Sequence, residues 1–234
     1  MGMNNEFAMS NVAERHALGF DLETVPMPGC EAYIDLSEIS APSNWKDPEK
    51  IAAYIAEAEA RRLDRFALDP DCNRIVAFGW HDVPEGDPKV ALCSTEREER
   101  EQLQLFWQSY SERETRLIGF NIFRFDLPVL VMRSLYLNVK HPEITFAPAW
   151  KAWPHVDLWE KLSLNGARKD VKSLRFYSKR LGFPIYDDIS GKDVAAAVTA
   201  GEWSKVENHC LYDLTLTRAL AERLGVWWGW RHEQ

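Results

Sequence analysis

Apolar positions along the chain change their spacing several times, and each change marks an element. His16 to Leu22 reads as a strand running into an acidic tip, Leu18-Gly19-Phe20-Asp21-Leu22-Glu23. Arg74 to His81 reads as a buried strand and Lys89 to Cys93 as another, with Leu117 to Asn121 a fourth, short one. Elsewhere the period is helical. Ile51, Ile55 and Ala58 stripe a helix that opens at Asp47-Pro48-Glu49 and runs to about Phe66; Asp suits the N-cap and Pro the first helical position. Thr95-x-x-Glu98 is a capping box, followed by Leu103, Phe106, Trp107 and Tyr110 on one face. Phe125-Asp126-Leu127-Pro128 opens a third helix. Val171, Leu174, Ser178 and Leu181 mark a fourth that ends at Gly182. Ser190-x-x-Asp193 begins a short Ala-rich helix that stops near Gly201. Ser204-x-x-Glu207 is read as the cap of the last long helix, whose apolar side carries Val206, Cys210, Leu214, Thr217 and Leu224.

Strands come early, helices late, and the two alternate between. That order predicts an α/β fold, a mixed β-sheet flanked by helices. No internal repeat or Gly/Ser linker divides the chain, so residues 1–234 are expected to form a single domain. Residues 25–45 are rich in Pro, Ser and Gly and read as a long loop.

Composition narrows the class. Of 234 residues, 46% are hydrophobic and 27% charged, the balance of a soluble globular chain with a core of its own. The longest apolar stretches, such as Leu127 to Met132, fall far short of the roughly 20 residues a membrane span needs. No basic start precedes an apolar run, and position 6 is Glu6 where myristoylation expects Ser or Thr. Cys30, Cys72, Cys93 and Cys210 are scattered and form no C-x-x-C pair, which points to reduced thiols in the cytoplasm rather than a zinc ribbon.

The net charge of −8 excludes a simple DNA-coating protein. Contact with nucleic acid then requires a local basic face or metal ions. Residues 151–192 offer such a face, with nine Lys/Arg against five acids, and with Phe176 and Tyr177 interleaved as candidate stacking groups. The bland alternative is a solvated amphipathic helix.

Three acidic signals carry candidate chemistry. Asp21 and Glu23 lie two apart on a strand, so both point to one face and can grip one divalent cation. Asp126 stands where a strand runs into a helix start, after Asn121 and Phe125. His209 and Asp213 are four apart on a helix and share a face that is otherwise apolar. A carboxylate drawn toward a core needs a cationic partner, either a metal or a basic side chain. His155-x-Asp157 imitates a metal pair but reads as strand or loop structure, and His81-Asp82 as a strand end.

Together these segments resemble the DEDD superfamily of 3′-to-5′ exonucleases, which has an RNase H-like fold. The first motif resembles Phe20-Asp21-Leu22-Glu23-Thr24, the second Gly119-Phe120-Asn121-Ile122-Phe123-Arg124-Phe125-Asp126, and the third His209-Cys210-Leu211-Tyr212-Asp213. The likeness is strongest to the branch related to family-B DNA polymerase proofreading domains and its stand-alone bacterial and phage relatives. Ser173-Leu174, Leu181-Gly182-Phe183-Pro184 and Gly201-Glu202-Trp203 fit that branch as well. Residues 25–70 look like an insertion relative to a minimal domain. One departure stands out: the tyrosine subclass has Tyr four residues before the last Asp, and here that position is His209. The histidine subclass has its His five before, and here that position is Asn208.

The resemblance implies hydrolysis of single-stranded DNA from its 3′ end with two divalent cations, Mg²⁺ or Mn²⁺, releasing nucleoside 5′-monophosphates. It implies Asp21, Glu23, Asp126 and Asp213 as metal ligands, with His209 orienting or deprotonating water. Thr24 would meet the terminal 3′ hydroxyl, and Asn121 and Phe125 would lie near the last nucleotides. RNA remains an alternative substrate, and a non-catalytic polymerase-associated binding module an alternative role. A separate polymerase or a replication or repair protein is the partner the resemblance suggests, with Trp227, Trp228 and Trp230 as a candidate docking tail or a cover for the core.

Overall fold

The computed structural model describes residues 17–83, 86–112, 115–142, 155–164, 166–184 and 186–226. The expected strand start at His16 and the tryptophan tail lie outside these residues. Five strands form one sheet: β1 (Ala17–Pro26), β2 (Asn73–Asp82), β3 (Lys89–Leu92), β4 (Arg116–Gly119) and β5 (Val156–Asp157). Their order is β3-β2-β1-β4-β5. β2 runs antiparallel to β1 and to β3, whereas β4 is parallel to β1 and to β5. The described helices are α1 (Pro48–Leu63), α2 (Glu96–Glu112), α3 (Asp126–Tyr136), α4 (Leu158–Leu162), α5 (Leu174–Leu181), α6 (Val194–Thr199) and α7 (Trp203–Arg223). This is the mixed α/β sheet with helices that the element order predicts, and it agrees with the RNase H-like fold that the resemblance implies.

Local signals place most helix ends. The Asp47 carboxylate accepts the Glu49 and Lys50 amides at 3.0 and 3.3 Å and starts α1. Thr95 and Glu98 form the reciprocal capping box of α2, at 3.2 and 3.0 Å. Ser173 caps α5, and Gly182, at φ 75°, ends it in the left-handed conformation that glycine adopts at low cost.

Five expectations need correction. β1 continues to Pro26, so Asp21 and Glu23 sit within the strand rather than at its tip; Val25 is buried and extends the ladder with β2. Residues 25–45 are therefore not one loop, and they also contain short 3₁₀ turns at Cys30–Tyr33 and Leu36–Glu38. α1 ends at Leu63, and buried Phe66 belongs to a separate 3₁₀ turn against β1. Ser204 does not cap α7, because half-buried Trp203 packs beside α6 and draws the first turn forward; the N-cap is Glu202, with no side-chain cap bond. β4 likewise stops at Gly119, two residues before Asn121.

The sheet separates two apolar layers. On one face Leu18, Phe20 and Leu22 of β1 pack with Leu103 and Trp107 of α2 and Leu127 and Leu130 of α3. In that layer Arg133 makes a bidentate pair with Glu99 at 2.7 and 2.9 Å, with both side chains almost fully buried. Glu99 also accepts the Ile75 amide at 2.9 Å and so ties α2 to β2. On the opposite face α7 lies along β1 and β2. Its approach to β2 is close at Gly79, where an added Cβ would stand 2.5 Å from the Cys210 Sγ and 2.9 Å from Leu214 Cδ1.

Candidate active site

β1 alternates its side chains across the sheet. Phe20 and Leu22 enter the α2–α3 layer, which turns Asp21 and Glu23 toward α7. On α7, His209, Cys210 and Asp213 face back. Carboxylate oxygens of Glu23 and Asp213 and a ring nitrogen of His209 lie within 4.8 Å of one another, as do Asp21, Glu23 and the Cys210 sulfur. A register shift between Glu23 and Thr24 bulges β1 just beyond these acids. Such bulges redirect the side chains that follow.

Asp126 arrives from the other direction. The β1–β4 ladder ends with Gly19 opposite Ile118, so the Leu22 amide lies beyond it. The Asp126 carboxylate accepts that amide at 3.0 Å. Asp126 is the first residue of α3, where the helix dipole favours negative charge. The chain reaches it through a turn in which Asn121 adopts φ 65°, a conformation asparagine tolerates. Asp157, at the end of β5, holds that turn: its carboxylate accepts the amides of Asn121 at 2.7 Å, Phe123 at 3.0 Å and Trp159 at 2.8 Å. Asp157 is thus structural, in keeping with the strand reading of His155-x-Asp157. His155 accepts the Leu117 amide at 3.1 Å and packs beside Tyr110.

The electrostatics follow from crowding. Burial, then the charges of Glu23, Asp126 and Asp213, push the Asp21 carboxyl well above its usual range. Glu23 is raised in the same way by burial, Asp213, Asp126 and Asp187. Burial takes Asp126 up to about 8, against the lowering effect of its backbone hydrogen bonds. Burial also raises Asp213, with His209 and Arg175 opposing. The Cys210 thiol is pushed well up by burial and by the same acids, so it stays protonated and donates weakly to Asp21 at 3.9 Å. Four carboxylates are therefore held together short of positive charge. Their oxygens are hard donors that suit Mg²⁺ or Mn²⁺.

The remaining expected residues take these positions. Thr24 is buried, and its hydroxyl donates to the Ala67 carbonyl at 2.5 Å, at the 3₁₀ turn that flanks β1. Asn121 shapes the turn through its backbone. Phe125 is half-buried against the α2–α3 layer, immediately before Asp126.

Asp187 joins the site with no mark in the sequence. Its carboxylate lies 2.8 Å from His209 Nδ1, while His209 Nε2 is 3.6 Å from Glu23 Oε1. Twenty-two residues and helix α6 separate Asp187 from His209, and no period or motif marks it.

Residues 71–224, about two-thirds of the chain, match the family described as predicted 3′-5′ exonucleases related to the exonuclease domain of PolB. The chain belongs to that family. The matched segment contains Asp126, His209 and Asp213 but begins after Asp21 and Glu23. It is the pairing of β1 with β2 and β4 that adds the first two acids to the same cluster. No curated protein matches the chain significantly. Among the described residues, no helix is long and apolar enough to cross a membrane.

Proposed function

We propose that the chain is a metal-dependent 3′-to-5′ exonuclease that trims single-stranded DNA and releases nucleoside 5′-monophosphates in a reducing, cytoplasmic compartment. The observation that carries this reading is the convergence of Asp21, Glu23, Asp126 and Asp213 from β1, α3 and α7. Asp21, Glu23 and Asp213 would hold one divalent cation, and Asp126, with Asp21 shared, a second. When bound, two such ions stabilise the attacking and leaving oxygens of a phosphodiester.

The chain's own residues do the rest. Water gives up a proton as it adds to the terminal phosphorus, the bond to the upstream 3′ oxygen breaks, and that oxygen takes a proton back from solvent to leave as the new 3′ hydroxyl. His209 orients the water from the Glu23–Asp213 side. The β1 backbone at Thr24 and the turn at Asn121 and Phe125 border the last nucleotides. α5 offers the strand a path, because Phe176, Lys179 and Arg180 are exposed along it beside Arg175, with Lys172 exposed just ahead of its cap. Cationic side chains follow the phosphates and an exposed ring stacks on bases without reading sequence.

The test is a gel assay on 5′-labelled single-stranded DNA, duplex DNA and RNA with Mg²⁺, Mn²⁺ or EDTA, beside Asp213→Ala. A ladder that shortens from the 3′ end of single-stranded DNA, and is lost with EDTA and with Asp213→Ala, is the expected result. Preferential shortening of RNA would move the substrate to ribonucleic acid. Intact substrates throughout, with binding retained, would replace the enzyme by a binding module.

A further inference from the structure

His209 stands on α7 four residues before Asp213, facing Glu23. An imidazole has two nitrogens, and which of them holds the proton depends on its neighbours. Here one neighbour is fixed. The Asp187 Oδ2 is 2.8 Å from His209 Nδ1, and the two side chains are only 4% and 6% exposed. Asp187 is itself held, since its Oδ1 accepts the Ile189 amide at 3.1 Å. Arg175 Nη1 stands 3.6 Å from Oδ2 and donates to the Ile189 carbonyl at 3.2 Å. Loop 187–189 is thus pinned against α7 at the histidine. On the other side of the ring, Nε2 faces the cluster at Glu23, with Gly191 leaving space beside it: a Cβ there would lie 3.9 Å from Nε2.

Resting on the exonuclease reading, we propose that Asp187 is a positioning residue of this enzyme: it holds the His209 ring so that Nδ1 carries the proton and Nε2 presents its lone pair to a water at the Glu23–Asp213 edge. A carboxylate offers only acceptors, so the proton between Asp187 and His209 belongs to Nδ1. Asp187 touches neither substrate nor reacting atoms, and acts through His209. The pairing has the logic of a carboxylate that fixes the tautomer of a working histidine.

Asp187→Asn separates this role from a structural one. The Ile189 amide needs an acceptor, so the new amide keeps its oxygen at the Oδ1 position and turns its NH₂ toward Nδ1. Nδ1 must then accept, and the proton moves to Nε2. The loop stays tied while the tautomer reverses. Histidine ¹⁵N spectra of the metal-free protein at alkaline pH read the tautomer without any activity. The expected result is protonated Nδ1 at His209 in the wild type and protonated Nε2 in Asp187→Asn. In steady state Asp187→Asn is expected to lower kcat roughly 10- to 100-fold with KM unchanged, the usual effect of losing a partner that orients a histidine. Asp188→Asn, one residue on and exposed, is expected to behave as wild type in both measurements.

A wild-type spectrum with the proton on Nε2 overturns the proposal without any variant. So does an active enzyme in which Asp187→Asn leaves kcat unchanged. A wild type inactive on every nucleic acid overturns the exonuclease reading itself, and this role with it.

Discussion

The Asp126 carboxylate accepts the Leu22 amide at 3.0 Å, which fastens the start of α3 to the strand that carries Asp21 and Glu23. One side chain therefore has two duties: it completes the edge of β1 past the end of β4, and it adds a charge to the cluster. The duties separate by substitution. Asp126→Asn keeps an oxygen for the Leu22 amide and removes the charge. It is expected to lower kcat at least about 100-fold while leaving the metal-free protein as stable as wild type, or more so, because the cost of burying an ionisable carboxyl is gone. Asp126→Ala also leaves the Leu22 amide unpaired and is expected to cost a further 1–3 kcal/mol or so. Steady-state kinetics and urea unfolding of the two variants check this.

The crowded acids make the metal-free protein sensitive to pH. Carboxyls in the unfolded chain titrate near about pH 4. In the fold they are raised, Asp126 to about 8. Between these values the folded state binds more protons than the unfolded one, so stability falls as pH rises. Their stabilising share is full below about pH 4 and lost as pH climbs toward 8. Scans in EDTA are expected to show Tm falling from about pH 5 to about pH 8, by about 2–4 °C per kcal/mol lost in a chain of this size. Saturating Mn²⁺ is expected to reverse most of that fall, and Asp126→Asn to flatten it.

Gly79 sets how close α7 comes to the sheet. It pairs with Asp21 across β1 and β2, and Cys210 and Leu214 fill the space its missing side chain leaves. Gly79→Ala is expected to push α7 outward, to destabilise by about 1–3 kcal/mol, and to lower kcat about tenfold or more as His209 and Asp213 retreat from β1. Adding Cys210→Ala removes the nearest clash and is expected to restore part of both losses. The two single variants and the double variant form the cycle that checks this.

The Arg133–Glu99 pair lies in the α2–α3 layer, on the face of the sheet opposite α7. Arg133→Met strands a buried Glu99 and is expected to cost about 3–5 kcal/mol in urea unfolding. The folded fraction is expected to keep the wild-type kcat. A tenfold lower kcat at full folding would mean that the α2–α3 layer also positions the site.

What could be read from the sequence was what repeats at short range. Asp21-x-Glu23 shows its shared face through a period of two, and His209-x-x-x-Asp213 through a helical turn. Thr95 and Glu98 mark a helix start because the capping bonds are local. The residues that escaped notice act across long separations with no period. Asp187 meets His209 only after a loop and α6 have folded back. Cys210 reads as one apolar helix position, yet it fills the gap between Gly79 and Asp21. The extent of β1 was hidden because prolines after Val25 look like loop, although Val25 itself is buried and paired. Ser204-x-x-Glu207 has the spacing of a cap but not its place, since packing of Trp203 beside α6 outweighs a local preference.

Asp21, Glu23, Asp126 and Asp213 are expected to form together a centre for divalent cations. Calorimetric titration of Mn²⁺ into EDTA-stripped, dialysed protein tests it most directly, in the wild type and in Asp21→Asn, Glu23→Gln, Asp126→Asn and Asp213→Asn. The expected result is Mn²⁺ binding by the wild type, lost or weakened at least about tenfold by each variant although all four remain folded. Wild-type affinity retained in all four variants would contradict it.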